Sequence, residues 1–390
     1  MSTDLFAEIE ALCSSSGPSA GIERLITALE EQKDWHHLFD ALLMRKKLSM
    51  GLPTTRPTSF DDVPERRRDE FEQSYLEAAR GVGDGLLADG QIAQAWMYFR
   101  TIREPGPIAA AIEKLPVGGP VDEQILEIAL FQGVAPAKGV EMMLASHGTC
   151  STITALDQQL SQMPDPQRRQ CAALMVQRLY RDLRDSIEAD VKRRQPMLPP
   201  GQSVRELIAG RDSIFENDNY HIDVSHLNAV VRMARDLRPG DVELKQALQL
   251  AQYGAKLASQ YQYAGTPPFT DFYPAHQQFF RALLGEDVDG ALEFFRGQLT
   301  DDPADTNNKL VALTLVDLCE KLGRSQDAID IAVKYLAEGV EGIGFSVGDL
   351  CLELGRLDVY RDLARQQANI LAWTSALCEL APKPGTTPPA

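Results

Sequence analysis

Residues 79–99 read Ala79-Arg80-Gly81-Val82-Gly83-Asp84-Gly85-Leu86-Leu87-Ala88-Asp89-Gly90-Gln91-Ile92-Ala93-Gln94-Ala95-Trp96-Met97-Tyr98-Phe99, and Pro105 follows. Ala79, Val82 and Leu86 recur three and four residues apart, which is the spacing of one helix face. Gly90 interrupts that pattern, and a second helical face begins at Ile92 and continues through Ala95 and Phe99. Glycine can adopt positive φ at a helix C-terminus, and proline marks where the second helix cannot continue. A small residue such as Ala95 lets two helices approach closely, while Phe99 one turn later fills the groove between them. The stretch therefore predicts two antiparallel helices joined by a tight turn.

The same template recurs downstream. Ala282, Gly285, Ala291, Phe295 and Pro303 form one copy, Leu315, Gly323, Ala328 and Ala332 a second, and Leu352, Gly355, Leu357 and Ala364 a third. The turn glycines Gly285, Gly323 and Gly355 lie 38 and 32 residues apart. Near the start, Asp34-Trp35-His36-His37-Leu38-Phe39 has the character of the second helix, with Lys33 where the glycine would stand. These units resemble the tetratricopeptide repeat, a helix-turn-helix unit of roughly 34 residues. The resemblance covers 75–105 and 270–365. It implies an all-α fold in which antiparallel helix pairs stack as a tetratricopeptide-like α-α superhelix.

Helical spacing also dominates elsewhere, as in Ile22, Leu25, Ile26 and Leu29 or Leu179, Leu183, Ile187 and Val191. No stretch alternates apolar and polar residues as a strand would, and Asp84-Gly85 and Asp89-Gly90 read as breaks between helices rather than hairpin turns. Leu52 to Pro64 is rich in Pro, Thr and Asp and reads as an exposed loop too polar to pack. A helix from about Pro166 to Arg194 ends at Pro196-Met197-Leu198-Pro199-Pro200-Gly201, where the main boundary is expected. The expected organisation is an N-terminal helical region (1–195, with the loop near 52–64), a Pro-rich connector and loop (196–222), a C-terminal repeat array (223–380) and a disordered tail (381–390).

The 390 residues are 44% hydrophobic and 24% charged, enough to bury a sizeable core. A formal net charge of −17 repels phosphate backbones, so nucleic acid is not an expected partner. No basic n-region precedes an apolar core at Met1, and no apolar run reaches the eighteen or so residues that span a bilayer, so the expectation is a cytoplasmic protein with no membrane partner. The six cysteines form no C-x-x-C pair; Cys319 and Cys351 stand in apolar helical stretches as core thiols.

Candidate chemistry is sparse. The densest polar cluster is Asn217 to His226, in which His221, Asp223 and His226 could offer two imidazoles and a carboxylate to a divalent metal. The same letters suit a helix start, with Asp223 as N-cap accepting from the N–H groups of Ser225 and His226. His36 and His37 point about 100° apart on a helix, so one is expected to pack and the other to be solvated. Asp301, Asp302 and Asp305 read as turn and cap residues, because the glycine and terminal glutamate of a calcium loop are missing. No phosphate-binding glycine loop, nucleophile elbow or zinc-helix motif occurs in a matching context.

Charge is uneven along the chain. Residues 164–215 hold ten basic against seven acidic residues, with Arg178-Asp182, Arg181-Asp185 and Arg184-Glu188 spaced as i, i+4 pairs. Residues 276–380 hold nine basic against eighteen acidic. The leading expectation is a non-enzymatic scaffold or adaptor whose acidic C-terminal array docks a protein or peptide that contributes basic groups, with no cofactor. A metal-dependent enzyme or small-molecule sensor with a site near His221, Asp223 and His226 is the alternative. Self-association through exposed ends of the solenoid is a third reading.

Overall fold

The structure, a computed structural model, describes residues 3–194, 199–302, 305–337 and 344–381. Pro303, the first part of the Pro-rich connector and the tail from residue 382 lie outside the described residues. The chain is all-α: among the described residues no strand forms, and an isolated antiparallel bridge joins Ala264 and Asp271. No described helix is long and apolar enough to cross a membrane.

The chain divides into two compact units between Ala155 and Leu156. The first unit begins with α1 (Thr3–Ser16), α2 (Pro18–Gln32), α3 (Trp35–Ser49), α4 (Arg68–Ala88), α5 (Ile92–Thr101) and α6 (Gly106–Glu113), each packed on the next. It continues with α7 (Glu123–Leu126), which runs on as a π-helical turn to Phe131, then α8 (Pro136–Ser146) and the start of α9 (Gly148–Gln159). Leu29, Leu43, Phe71, Val82, Leu86 and Phe99 meet in one core. The spacing that made 79–99 readable is what fills it, because Ala79, Val82 and Leu86 on α4 and Ala95 and Phe99 on α5 are all buried.

Two local readings of this unit need correction. Asp84-Gly85 lies inside α4 rather than between helices. A Cβ added at Gly85 would come within 2.4 Å of the Trp35 ring, and one at Gly83 within 2.6 Å of the Phe99 ring. These glycines serve close helix crossings, not turns. The 52–64 loop also packs: Val63 is buried and Phe60 sits edge-on to Phe71, 5.0 Å between centroids. Lys47, itself fully buried, donates from Nζ to the Arg56 carbonyl and to Asp62 Oδ1, each at 2.6 Å. The loop's polar groups thus satisfy a cation that the core encloses.

The second unit is built on α10 (Asp165–Arg194), whose buried stripe of Cys171, Met175, Leu179, Leu183 and Ile187 faces α11 (Val204–Ile208), α12 (Val224–Met233) and α13 (Glu243–Gly254). Those partners lie beyond the prolines, so the Pro-rich segment joins parts of one unit, and the division falls earlier, at Ala155. Apolar burial sets the division; the prolines only end a helix. On α10, Arg178 pairs with Asp182 at 2.9 Å as the spacing predicts, whereas Arg184 pairs with its neighbour Asp185 and Glu188 with Lys192.

From α13 onward consecutive helices stack in turn: α14 (Phe272–Leu283), α15 (Val288–Arg296), α16 (Thr306–Lys321), α17 (Ser325–Tyr335), α18 (Val347–Glu353), α19 (Leu357–Gln366) and α20 (Ile370–Leu380). Ala291, Phe295, Leu315, Cys319, Ala328, Ala332, Cys351 and Ala364 are buried, but Leu352 is exposed and its place in the core is taken by Leu350.

Candidate functional site

One turn recurs at the hairpins of both units. Lys33, Gly90, Gly285, Gly323, Gly355 and Ala368, each following a helix, take φ between 54° and 76°. At Gly323 the N–H donates to the Glu320 carbonyl at 3.0 Å and the next N–H, of Arg324, to the Cys319 carbonyl at 2.8 Å. The same two bonds recur at Gly355 and Arg356, and at Ala368 and Asn369. This double bond pattern satisfies carbonyls that a helix end would leave orphaned. The following residue then takes nearly one conformation, φ −90° and ψ 60° at Gln91, −90° and 62° at Arg324, and −95° and 62° at Arg356, which turns the chain into the next helix.

In the C-terminal array arginines tie neighbouring hairpins together, two of them, Arg324 and Arg356, directly after the turn glycine. Arg324 reaches back to Asp289 on α15 at 2.6 Å, Arg296 of α15 reaches Asp327 on α17 at 2.9 Å, and Arg356 donates to Gln326 on α17. These ties engage the second helix of each pair. The first helices carry a different surface. On α16 Leu310, Leu313, Thr314, Asp317 and Glu320 are half-buried at helical spacing beside the wholly buried Leu315 and Cys319.

That stripe sets carboxylates close together. Burial first, then the charges of Asp317 and of Glu353 on α18, push the Glu320 carboxyl above its ordinary range, against the pull of Arg238 and Lys321. Asp317 is paired with Lys321 at 2.7 Å, and the Lys321 ammonium is nearly buried. A cation brought to this face would find Glu320 and Glu353 with no ion pair of their own among the described residues.

The sequence candidates His221, Asp223 and His226 are not brought together as a donor set. Asp223 is the N-cap of α12: its Oδ1 accepts from the Ser225 N–H at 2.8 Å and the His226 N–H at 3.2 Å, as the sequence predicts. His221 is committed elsewhere. Its Nε2 faces Asp190 Oδ2 at 3.3 Å and its Nδ1 lies 3.1 Å from Tyr253 Oη, which also accepts the His221 backbone N–H at 2.8 Å. All contacts are satisfied by one neutral tautomer, with Nε2–H donating to Asp190 and Tyr253 O–H donating to Nδ1. Burial holds the His221 pKa below its ordinary value although Asp190 pulls it up. Burial likewise raises that of Tyr253. The arrangement is a latch between α10, α13 and the segment leading into α12, and the His226 ring makes no hydrogen bond among the described residues. No three His, Cys, Asp or Glu side chains among the described residues are grouped so as to hold a metal ion.

The remaining candidates resolve locally. His36 stacks on Tyr98 and bonds its hydroxyl at 2.7 Å, while the exposed His37 pairs with Asp34 at 2.9 Å. Asp305 caps α16 by accepting from the Asn307 N–H at 2.9 Å. Comparison with protein-family models, with curated proteins and with solved structures finds no match to this chain. The sequence reading missed Asp190 and Tyr253, which lie about thirty residues to either side of His221 with no local spacing to mark them.

Proposed function

We propose that this chain is a non-enzymatic helical-repeat scaffold of tetratricopeptide-like hairpins, and that its C-terminal array docks a segment of another protein along the first-helix face of α16 and α18. The observation that carries this reading is the recurrence of one hairpin turn at Gly285, Gly323 and Gly355, followed by buried Ala291 and Ala328 in the first two copies. Stacked pairs of this kind cover each helix with its neighbours in the stack and leave a continuous side open, which suits an extended partner rather than a small substrate. Asp317, Glu320 and Glu353 give the partner's chemistry, because Lys, Arg or a free amine would relieve the crowding of carboxylates there.

The test is a screen of immobilised full-length protein against peptides that differ in charge, followed by Glu320→Lys and Glu353→Lys. The reading expects retained peptides rich in Lys or Arg, binding lost on charge reversal, and association that slows between about 50 and 500 mM salt. Retention of acidic peptides only, or retention unaffected by both reversals, would overturn it.

A further inference from the structure

Arg235 is the one guanidinium of a three-arginine recess that has no ion pair among the described residues. It stands in the short 3-10 turn Ala234–Asp236 that ends α12. Beside it, a recess of about 290 Å³ is lined by Arg168, Arg232 and Arg235, by Asp157 and Asp236, and by the apolar side chains of Leu156, Leu160 and Met233. The first two arginines are spoken for. Arg168 donates to Asp236 at 3.1 Å, to Asp165 at 3.1 Å and to the Met163 carbonyl at 2.9 Å. Arg232 donates to Asp157 at 2.8 Å. Arg235 makes a single hydrogen bond, from Nε to the Arg232 carbonyl at 3.2 Å, and lies over the Phe269 ring with Cζ 4.8 Å from its centroid.

The ring is no hydrogen-bond acceptor of the carboxylate kind, so it does not take the place of an ion-pair partner. Both terminal nitrogens lack an acceptor among the described residues, and neither is a buried unpartnered atom, so their donors are open to the recess that Arg235 lines. Burial works against the charge on Arg235, and so does the neighbouring Arg232; Asp317 and Asp236 pull the other way without reaching ion-pair distance. A guanidinium in this state is completed by a ligand with two coplanar oxygens, which its fork can hold through two parallel hydrogen bonds. The turn is tied to α16, since the nearly buried Lys321 ammonium donates to the Arg235 carbonyl.

We infer that this recess binds an oxyanion, the carboxylate or phosphate end of a small ligand, with Arg235 as the chief contact, Arg232 and Arg168 holding the recess aspartates Asp157 and Asp236 in ion pairs, and Leu156, Leu160 and Met233 flanking the ligand's apolar body. The recess exceeds the bulk of the anion alone, so the anion is the anchored end of something larger. The recess adjoins the α16 face, since Asp317 acts on Arg235 and Lys321 holds its carbonyl, but it takes a ligand of the opposite charge and stands whether or not the scaffold reading does.

The test titrates the full chain with inorganic phosphate and, separately, with acetate, against chloride at matched ionic strength, reading the thermal midpoint. Phenylglyoxal labelling of Arg235, mapped by mass spectrometry with and without each anion, gives a second readout that needs no variant. The expected result is a saturable rise in the midpoint with at least one oxyanion, protection of Arg235 by that anion, and affinity weakened about tenfold or more in Arg235→Lys. Arg45→Gln, in the other unit, should leave the titration unchanged. Saturation by phosphate alone assigns a phosphorylated ligand, and saturation by acetate alone a carboxylate. If neither anion saturates up to about 50 mM, beyond the millimolar range of weak sites, the inference fails. It fails equally if Arg235 labels at the same rate with and without both anions.

Discussion

Gly254 lies so close beneath the Tyr273 ring that a Cβ in its place would stand 2.1 Å from a ring carbon. Tyr273 is fully buried, and its hydroxyl donates to Asn228 Oδ1 at 2.5 Å, so the ring cannot swing aside without abandoning a buried acceptor. Here α13 meets α14 and the repeat array joins the α10 platform. Gly254→Ala should therefore destabilise the protein by about 1 to 3 kcal/mol through overpacking, despite alanine's better helix propensity. An unchanged or raised thermal midpoint would show that the contact relaxes at no cost.

Asp223→Ala removes the acceptor for two N–H groups at the start of α12 and should lower stability by about 0.5 to 2 kcal/mol. Asp223→Asn keeps an acceptor and should lose far less. Chemical denaturation of the three proteins decides, and equal losses from both substitutions would point to the charge rather than the cap.

Ala368 occupies the turn position that glycine holds at Gly323 and Gly355, with φ 54°. A side chain in this left-handed region costs roughly 1 to 2 kcal/mol. Glycine there would give back about 0.5 to 1 kcal/mol in the entropy of the unfolded chain. Ala368→Gly should consequently raise stability by somewhat under 1 kcal/mol, whereas Gly323→Ala and Gly355→Ala should lower it. A loss on Ala368→Gly would mean that the methyl group makes contacts worth more than the strain.

The turn also shows what the letters could and could not reveal. Gly90, Gly285, Gly323 and Gly355 are legible because glycine is the residue that adopts positive φ without penalty, and the buried residues after them, Ala95 and Phe99, Ala291 and Phe295, Ala328 and Ala332, and Ala364, give the second helix its face. Lys33 and Ala368 adopt the same geometry and carry no such mark, since tertiary packing imposes it on residues that do not favour it. Asp223 was readable as a cap because its partners are two and three residues away. The partners of His221, Lys47 and Arg235 come from other elements, so their pairing or lack of it depends on which helices meet. The prolines near 196–200 suggested a boundary, but α10 buries its apolar face against helices on their far side.

His276 supplies a pH dependence whose sign can be worked out. It is almost wholly buried on α14, its Nδ1 donates to the Phe272 carbonyl at 2.7 Å, and Nε2 has no partner among the described residues. Burial first, then the positive charges of Arg235 and Arg232, hold its pKa down to about 3, against 6.5 for an ordinary histidine, while the Phe272 bond opposes them. Between those values the unfolded chain binds a proton that the folded protein refuses, so stability rises with pH across the window. It is fully present above about pH 6.5 and is lost as pH falls toward 3. At about 1.4 kcal/mol per unit, the group should cost on the order of 2 kcal/mol between pH 7 and pH 5. Carboxylates held low in the folded state, such as Asp223 and Asp241, act below that range, and His221, also depressed, adds to the same slope and is present in both proteins compared. His276→Phe keeps an aromatic ring against Phe269 and removes the titration. Its unfolding free energy should fall less between pH 7 and pH 5 than that of the unaltered protein, whatever its absolute stability. Parallel profiles over that interval would show that the imidazole is protonated in place, with its charge met by a group that the folded structure supplies as pH falls.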